Sequence, residues 1–124
     1  MTAPVHVVRP EDSLTVAREA MHAHGVRHLP VLDEQRLVGV VTLSDLYAAE
    51  AILQADPDAT PVEQLMAREL YAVSPETPLA DVAAAMAERH VGSALVVEGE
   101  TLVGLFTSTD ACRALALVLK DESA

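Results

Sequence analysis

Two stretches of this sequence end an apolar run on the same polar signature. GVVTLSD covers residues 39–45 and GLFTSTD covers residues 104–110. Each places a Thr three positions before an Asp: Thr42 and Asp45, then Thr107 and Asp110, with Ser44 and Thr109 between. An ionised carboxylate only accepts hydrogen bonds, so it can take two from neighbouring hydroxyls. A ribose 2′,3′-diol presents such a pair. A hydroxyl where a strand turns into a helix caps the orphan amides there, or holds an anion beside them. Thr-x-Ser-Asp and Thr-x-Thr-Asp are also good helix-start signatures, so capping alone accounts for either one. Recurrence weakens that plainer account without removing it, since duplicated copies inherit their caps.

Other reactive side chains converge less well. His22 and His24 sit two apart on a predicted helix and point in different directions. His24 and His28 are four apart, but Gly25 is expected to end the helix between them. With the single cysteine, Cys112, no metal-ligand cluster forms. Ser13, Ser44, Ser93 and Ser108 lack His and Asp at a recognisable triad spacing. Cys112 lies in an apolar helical stretch and reads as packing. No catalytic residue is assigned, and the chain is not expected to be an enzyme.

The two signatures belong to a larger duplication. Val8–Asp45 aligns with Val73–Asp110 at a constant offset of 65 with no gap, matching Pro10/Pro75, Leu14/Leu79, Met21/Met86, Val31/Val96 and Gly39/Gly104. Each copy reads strand, helix, strand, strand, helix. VHVV opens copy one, and Asp12 or Ser13 caps a helix whose Leu14, Ala17, Ala20, Met21 and His24 share one face. In copy two Thr77-Pro78 starts the helix carrying Leu79, Val82, Ala83, Met86 and Ala87. A hairpin follows in each: HLPVL-DEQ-RLVGVVT and SALVV-EGE-TLVGLFT, nearly continuous in Val and Leu as for strands covered on both faces. SDLYAAEAIL and TDACRALALVLK close the copies as helices. Residues 1–55 form repeat one, 56–61 a linker and 62–124 repeat two. Thr60, Pro61 and Glu63 read as a capping-box start for a short helix, PVEQLM. Two copies are too few for a solenoid, so a compact pair about a pseudo-twofold axis is expected.

Bulk properties narrow the field. Hydrophobic residues make up 51% of 124 and aromatics 2%, which predicts an ordered, aliphatic core. A formal charge of −11 repels phosphate backbones, so no nucleic acid partner is expected. No apolar run is long enough for a membrane span, and the first residues lack a signal-peptide pattern, so a cytoplasmic location is expected.

The order Pro-x-x-x-Leu, HGVRHLPVLD, LVGVVTLSDL, repeated in tandem, resembles the CBS (cystathionine β-synthase) domain, and the whole chain resembles a Bateman module. The resemblance runs from about Val5 to about Leu119. It implies an α/β (α+β) fold of two βαββα repeats with sheets facing each other and helices outside. It also implies two clefts that take adenosine-containing ligands such as AMP, ADP, ATP or S-adenosylmethionine. Asp45 and Asp110 would hold ribose hydroxyls, with Thr42, Thr107, Ser44 and Thr109 near ribose and phosphate. Main-chain groups around Leu29-Pro30 and Ala94-Leu95, with Val8 and Val73, would edge the adenine.

Arg27 and His28 stand where some nucleotide-binding relatives carry phosphate-facing cations, whereas their counterparts Gly92 and Ser93 carry no charge. One phosphate-compatible cleft and one weaker cleft are therefore expected, with the Arg27 guanidinium as the phosphate fork. The resemblance further implies a homodimer formed through the Ala-rich helices. The expected function is a stand-alone regulatory module that senses an adenine nucleotide and signals to an effector protein. The alternatives are a ligand-free dimerisation or interaction module, and a sensor of S-adenosylmethionine.

Overall fold

Ser13 starts the first helix, α1 (Leu14–His24), its hydroxyl accepting from the Val16 amide at 3.2 Å. Asp12, the other candidate cap, instead accepts from the Arg9 amide at 2.8 Å. Leu14, Ala17 and Met21 are buried at helical spacing, and Gly25 closes the helix at φ 63°, its amide reaching the Met21 carbonyl. Glycine suits that left-handed position because it has no Cβ to clash. His24 from the expected stripe stays exposed, its ring stacked on that of His6 with centroids 3.4 Å apart.

The computed structural model describes residues 5–123. It is an α+β structure with two sheets and two compact units, one of His6–Leu70 and one that joins Val5 to the chain from Tyr71 onward. In the first, β1 (His28–Asp33) and β2 (Arg36–Thr42) pair antiparallel, with His28 opposite Thr42 and Leu29 opposite Val41. Glu34 and Gln35 turn the hairpin with φ of 49° and 74°. Two positive φ values match the turn to the twist of the strands. Helix α2 (Leu43–Ala51) follows directly, and its Glu50 forms an ion pair with Arg18 of α1. Leu14, Met21, Leu29, Val31, Val41 and Leu46 form the core.

Two expectations for this copy need correction. VHVV forms no strand; Val8 alone bridges Val31, its amide donating to the Pro30 carbonyl and its carbonyl accepting from Leu32. In copy two the Leu95 amide donates to the Tyr71 carbonyl and a two-residue strand results. Pro30 holds the Leu95 position and has no N–H to give, so the ladder stops.

The second correction concerns Thr60. Val62–Gln64 is a single 3₁₀ turn with no side-chain cap, and the Thr60 hydroxyl donates to the Asp56 carbonyl. The main chain there is committed to α1: the Leu14 amide donates to Thr60 O at 3.0 Å and the Val62 amide to Asp12 O at 2.8 Å. Val62 and Met66 enter the core of the first unit, and Val40 exchanges both backbone hydrogen bonds with Ala67. Residues 62–70 therefore pack with copy one, although the repeat pattern groups them with copy two.

In the second unit β3 (Ala72–Val73) runs parallel to β4 (Ser93–Glu98), which pairs antiparallel with β5 (Thr101–Thr107). Helix α3 (Leu79–Arg89) has Pro78 as its N-cap residue rather than its first helical residue, and α4 is Ser108–Ser123. Val82, Met86, Ala94 and Phe106 make a smaller core. Of the expected α3 stripe, Leu79 and Ala87 are exposed.

Candidate ligand-binding site

Thr42 ends β2 and is the N-cap of α2. Its hydroxyl accepts from the Asp45 amide at 3.1 Å, and Asp45 Oδ2 accepts from the Thr42 amide at 3.2 Å. Two orphan donors are thereby satisfied in a reciprocal box. Asp45 Oδ1 takes no hydrogen bond from the described residues. The carboxylate is half-buried at the positive end of a helix, where a negative charge is favoured.

Copy two repeats the arrangement. Asp110 Oδ2 accepts from the Thr107 amide at 2.9 Å and from the Thr107 hydroxyl at 3.1 Å, while the Asp110 amide donates to Thr107 Oγ1 at 3.2 Å. Asp110 Oδ1 lies 3.9 Å from Nη1 of Arg113. Ser44 and Thr109 are exposed beside these boxes.

Arg27 and His28 lie at the entrance to α2. The Arg27 carbonyl accepts from the Leu43 amide at 2.9 Å, fixing the backbone while the side chain stays exposed. His28 lies opposite Thr42 and is half-buried. Burial pushes its pKa below the ordinary 6.5; the Asp45 carboxylate opposes this and the Arg27 guanidinium adds to it. In copy two the Gly92 carbonyl accepts from the Ser108 amide and hydroxyl, and Ser93 is buried opposite Thr107.

Each unit thus gathers its hydroxyl, its carboxylate and the two residues that enter its strand. The residues named for the adenine edge sit deeper. Val8, Leu29, Ala94 and Leu95 are buried side chains, as is Pro30. Their backbone groups are partly engaged: Pro30 O accepts from Val8 and the Leu95 amide donates to Tyr71. Val73 is half-buried on a groove of its own unit. Arg113 was not anticipated. Its counterpart in copy one is Ala48, so the repeat gives no signal for it; the signal is its position three residues after Asp110. Among the described residues no three His, Cys, Asp or Glu side chains are placed to hold a metal ion. No described helix is long and apolar enough to cross a membrane.

The CBS domain family model matches residues 1–51 and 62–117, most of the chain in two segments. The chain belongs to the CBS domain family. This CBS pair is 36% identical over 107 residues to inosine-5′-monophosphate dehydrogenase of Korarchaeum cryptofilum, covering 86% of this chain but 21% of that enzyme. It is 30% identical over 110 residues to the CBS domain-containing protein YhcV of Bacillus subtilis, covering 89% of this chain and 78% of YhcV. Among solved structures it is similar to the CBS domain pair of protein MJ0100, which is in complex with 5′-methylthioadenosine and S-adenosyl-L-methionine. That likeness has a TM-score of 0.85 at 25% identity and covers 94% of this chain and 91% of that one.

Proposed function

We propose that this CBS pair is a regulatory module that binds an adenine nucleotide at these helix entrances and signals to a partner protein through a change of conformation. One observation carries the reading. Each copy sets a carboxylate at a helix entrance with one oxygen committed to the cap, and Asp45 keeps its second oxygen clear of hydrogen bonds from the described residues. A ribose diol needs such an acceptor. Support for the adenosine class comes from the MJ0100 pair and its two adenosine ligands.

In this reading Asp45 and Asp110 accept from ribose hydroxyls, Thr42, Thr107, Ser44 and Thr109 border ribose and phosphate, and Arg27 forks a phosphate with His28 beside it. Leu29, Pro30, Ala94, Leu95, Val8 and Val73 flank the base. Arg113 gives the second site a cation, so its phosphate preference is stronger than Gly92 and Ser93 alone suggest. The conformational response is bounded by the ligand's difference in affinity between the two states. No reaction and no catalytic cofactor are proposed.

Thermal unfolding with AMP, ADP, ATP, S-adenosylmethionine and GMP tests this reading. A ligand at a hundredfold its Kd stabilises by about 2.7 kcal/mol, a rise on the order of 10 °C for a chain this size. Asp45→Asn retains an acceptor for the Thr42 amide and should keep the fold while losing the shift. A melting curve that no nucleotide moves would contradict the proposal.

A second reading, a ligand-free interaction module, is favoured by α4. Its Leu115, Leu117 and Val118 are each more than half exposed. A homodimer through this face is compatible with either reading.

A further inference from the structure

The two helix entrances share a cap box but differ in what stands beside it. In the first unit the Leu43 amide donates to Arg27 O, so the ladder of β1 and β2 has a hydrogen-bonded step there. Val40, opposite Pro30, sends both its backbone groups to Ala67 instead of across the hairpin. Antiparallel strands alternate the two kinds of step, which makes His28 with Thr42 a non-hydrogen-bonded pair. Side chains of such a pair share one face at the closer spacing. His28 is thus the neighbour of Thr42, whose hydroxyl accepts from the Asp45 amide at 3.1 Å. The same place in the second unit holds Ser93, buried opposite Thr107, and Gly92 stands where Arg27 does. Neither carries a group that titrates.

Two charges act on His28: Asp45 from the first turn of α2, and Arg27 next to it in the chain. Thr42, across the hairpin, carries none. Burial outweighs both and holds the imidazole below its ordinary 6.5, with Asp45 opposing and Arg27 adding. The ring is therefore mostly uncharged at neutral pH. Donors that suit an anion stand at the same entrance. They are the exposed Arg27 guanidinium, the exposed Ser44 hydroxyl, and the Ser44 amide, which as the second residue of α2 has no intrahelical partner. An anion held by these groups brings a negative charge near His28, and a nearby opposite charge favours the protonated ring.

We propose that His28 is a specificity-determining residue of the first unit's entrance: it takes up a proton as a phosphate ester seats there, so this entrance favours a phosphorylated ligand over the bare nucleoside and holds it more tightly as pH falls. The inference rests on the nucleotide reading above and adds a regulation to it. The first entrance responds to acidity as well as to ligand, and the second, with Ser93 in that place, lacks the response. Linkage fixes the sign. A ligand that draws a proton onto the protein binds more tightly where protons are abundant. The second ionisation of the phosphate itself, at about pH 6, works the other way, since a monoanion is the weaker partner for Arg27.

Isothermal titration of the full chain carrying Asp110→Asn, which leaves the first entrance to be read, tests the proposal with AMP and with adenosine. In buffers of different ionisation heat near neutral pH, AMP should bind with uptake of part of a proton and adenosine with none. AMP affinity should rise roughly threefold from about pH 8 to about pH 6.5. His28→Gln should abolish both the uptake and the rise. Equal uptake for the two ligands, an AMP affinity that stays level or falls in acid, or an uptake and a rise that persist in His28→Gln would each overturn the role of His28. All three leave the nucleotide reading standing. That reading fails differently, by the parent chain binding neither ligand at any pH, and the role of His28 then falls with it. The contrast of AMP with adenosine needs no substitution at His28, so it decides the matter even where His28→Gln does not fold.

Discussion

Asp45 and Asp110 each complete a helix cap with Oδ2, so a structural role for both is established and a ligand role must use what remains. For Asp45 that is Oδ1. These boxes were legible in the sequence because they are local, closing over three residues. Arg113 was not, because attention to matched positions passes over a residue whose counterpart is Ala48. His28 was legible as a position but not as an environment. Burial on β1, opposite Thr42, lowers its pKa, with Asp45 and Arg27 as the charged groups acting on it in opposite senses. The unfolded chain therefore takes up this proton at higher pH than the folded one. Stability from this residue is intact above about pH 6.5, falls as pH drops towards the lower folded value, and is fully lost below it. The melting temperature of the parent should fall more steeply over that window than that of His28→Gln. Parallel curves would mean that His28 titrates alike in both states.

At the scale of elements, helical stripes and hairpins were readable because their periodicities are strong and their caps are local. What periodicity could not show was the effect of single residues on pairing. Pro30 costs copy one its opening strand, and the Thr60 signature yields to long-range bonds from α1. His90, the counterpart of Gly25, ends α3 at φ 56°, a left-handed conformation that a side chain disfavours. The repeat also conceals where residues 62–70 pack, since chain order and spatial grouping differ. Gly39 reveals the packing. A Cβ there would lie 2.5 Å from Met66 Sδ and 2.9 Å from the Ala67 carbonyl. Flexible Met66 can yield, whereas the backbone of Ala67, bridged to Val40, cannot yield cheaply. Gly39→Ala should therefore destabilise by about 1–3 kcal/mol in urea denaturation, as overpacking generally does. Met66→Ala in the same chain should recover only part of the loss. An alanine variant as stable as the parent would show that 62–70 is loosely held.

For the whole molecule, the duplication and its family were legible because many weak matches fall in one order. The ligand and partner were not, because they depend on surfaces assembled from residues that the repeat does not distinguish. Exposed Leu115, Leu117 and Val118 on α4 favour self-association. Sedimentation should show a dimer that Leu117→Lys with Val118→Lys converts to monomer; a monomeric parent would remove the dimer from the account.

The central claim is that paired helix-entrance carboxylates recognise a nucleoside sugar. Isothermal titration of the parent and of the Asp45→Asn, Asp110→Asn double variant with AMP and with 2′,3′-dideoxyadenosine tests it most directly. The account predicts that the parent binds AMP, that the variant loses most of that affinity while remaining folded, and that the dideoxy compound binds neither. Equal affinity of the parent and the variant for AMP would contradict it.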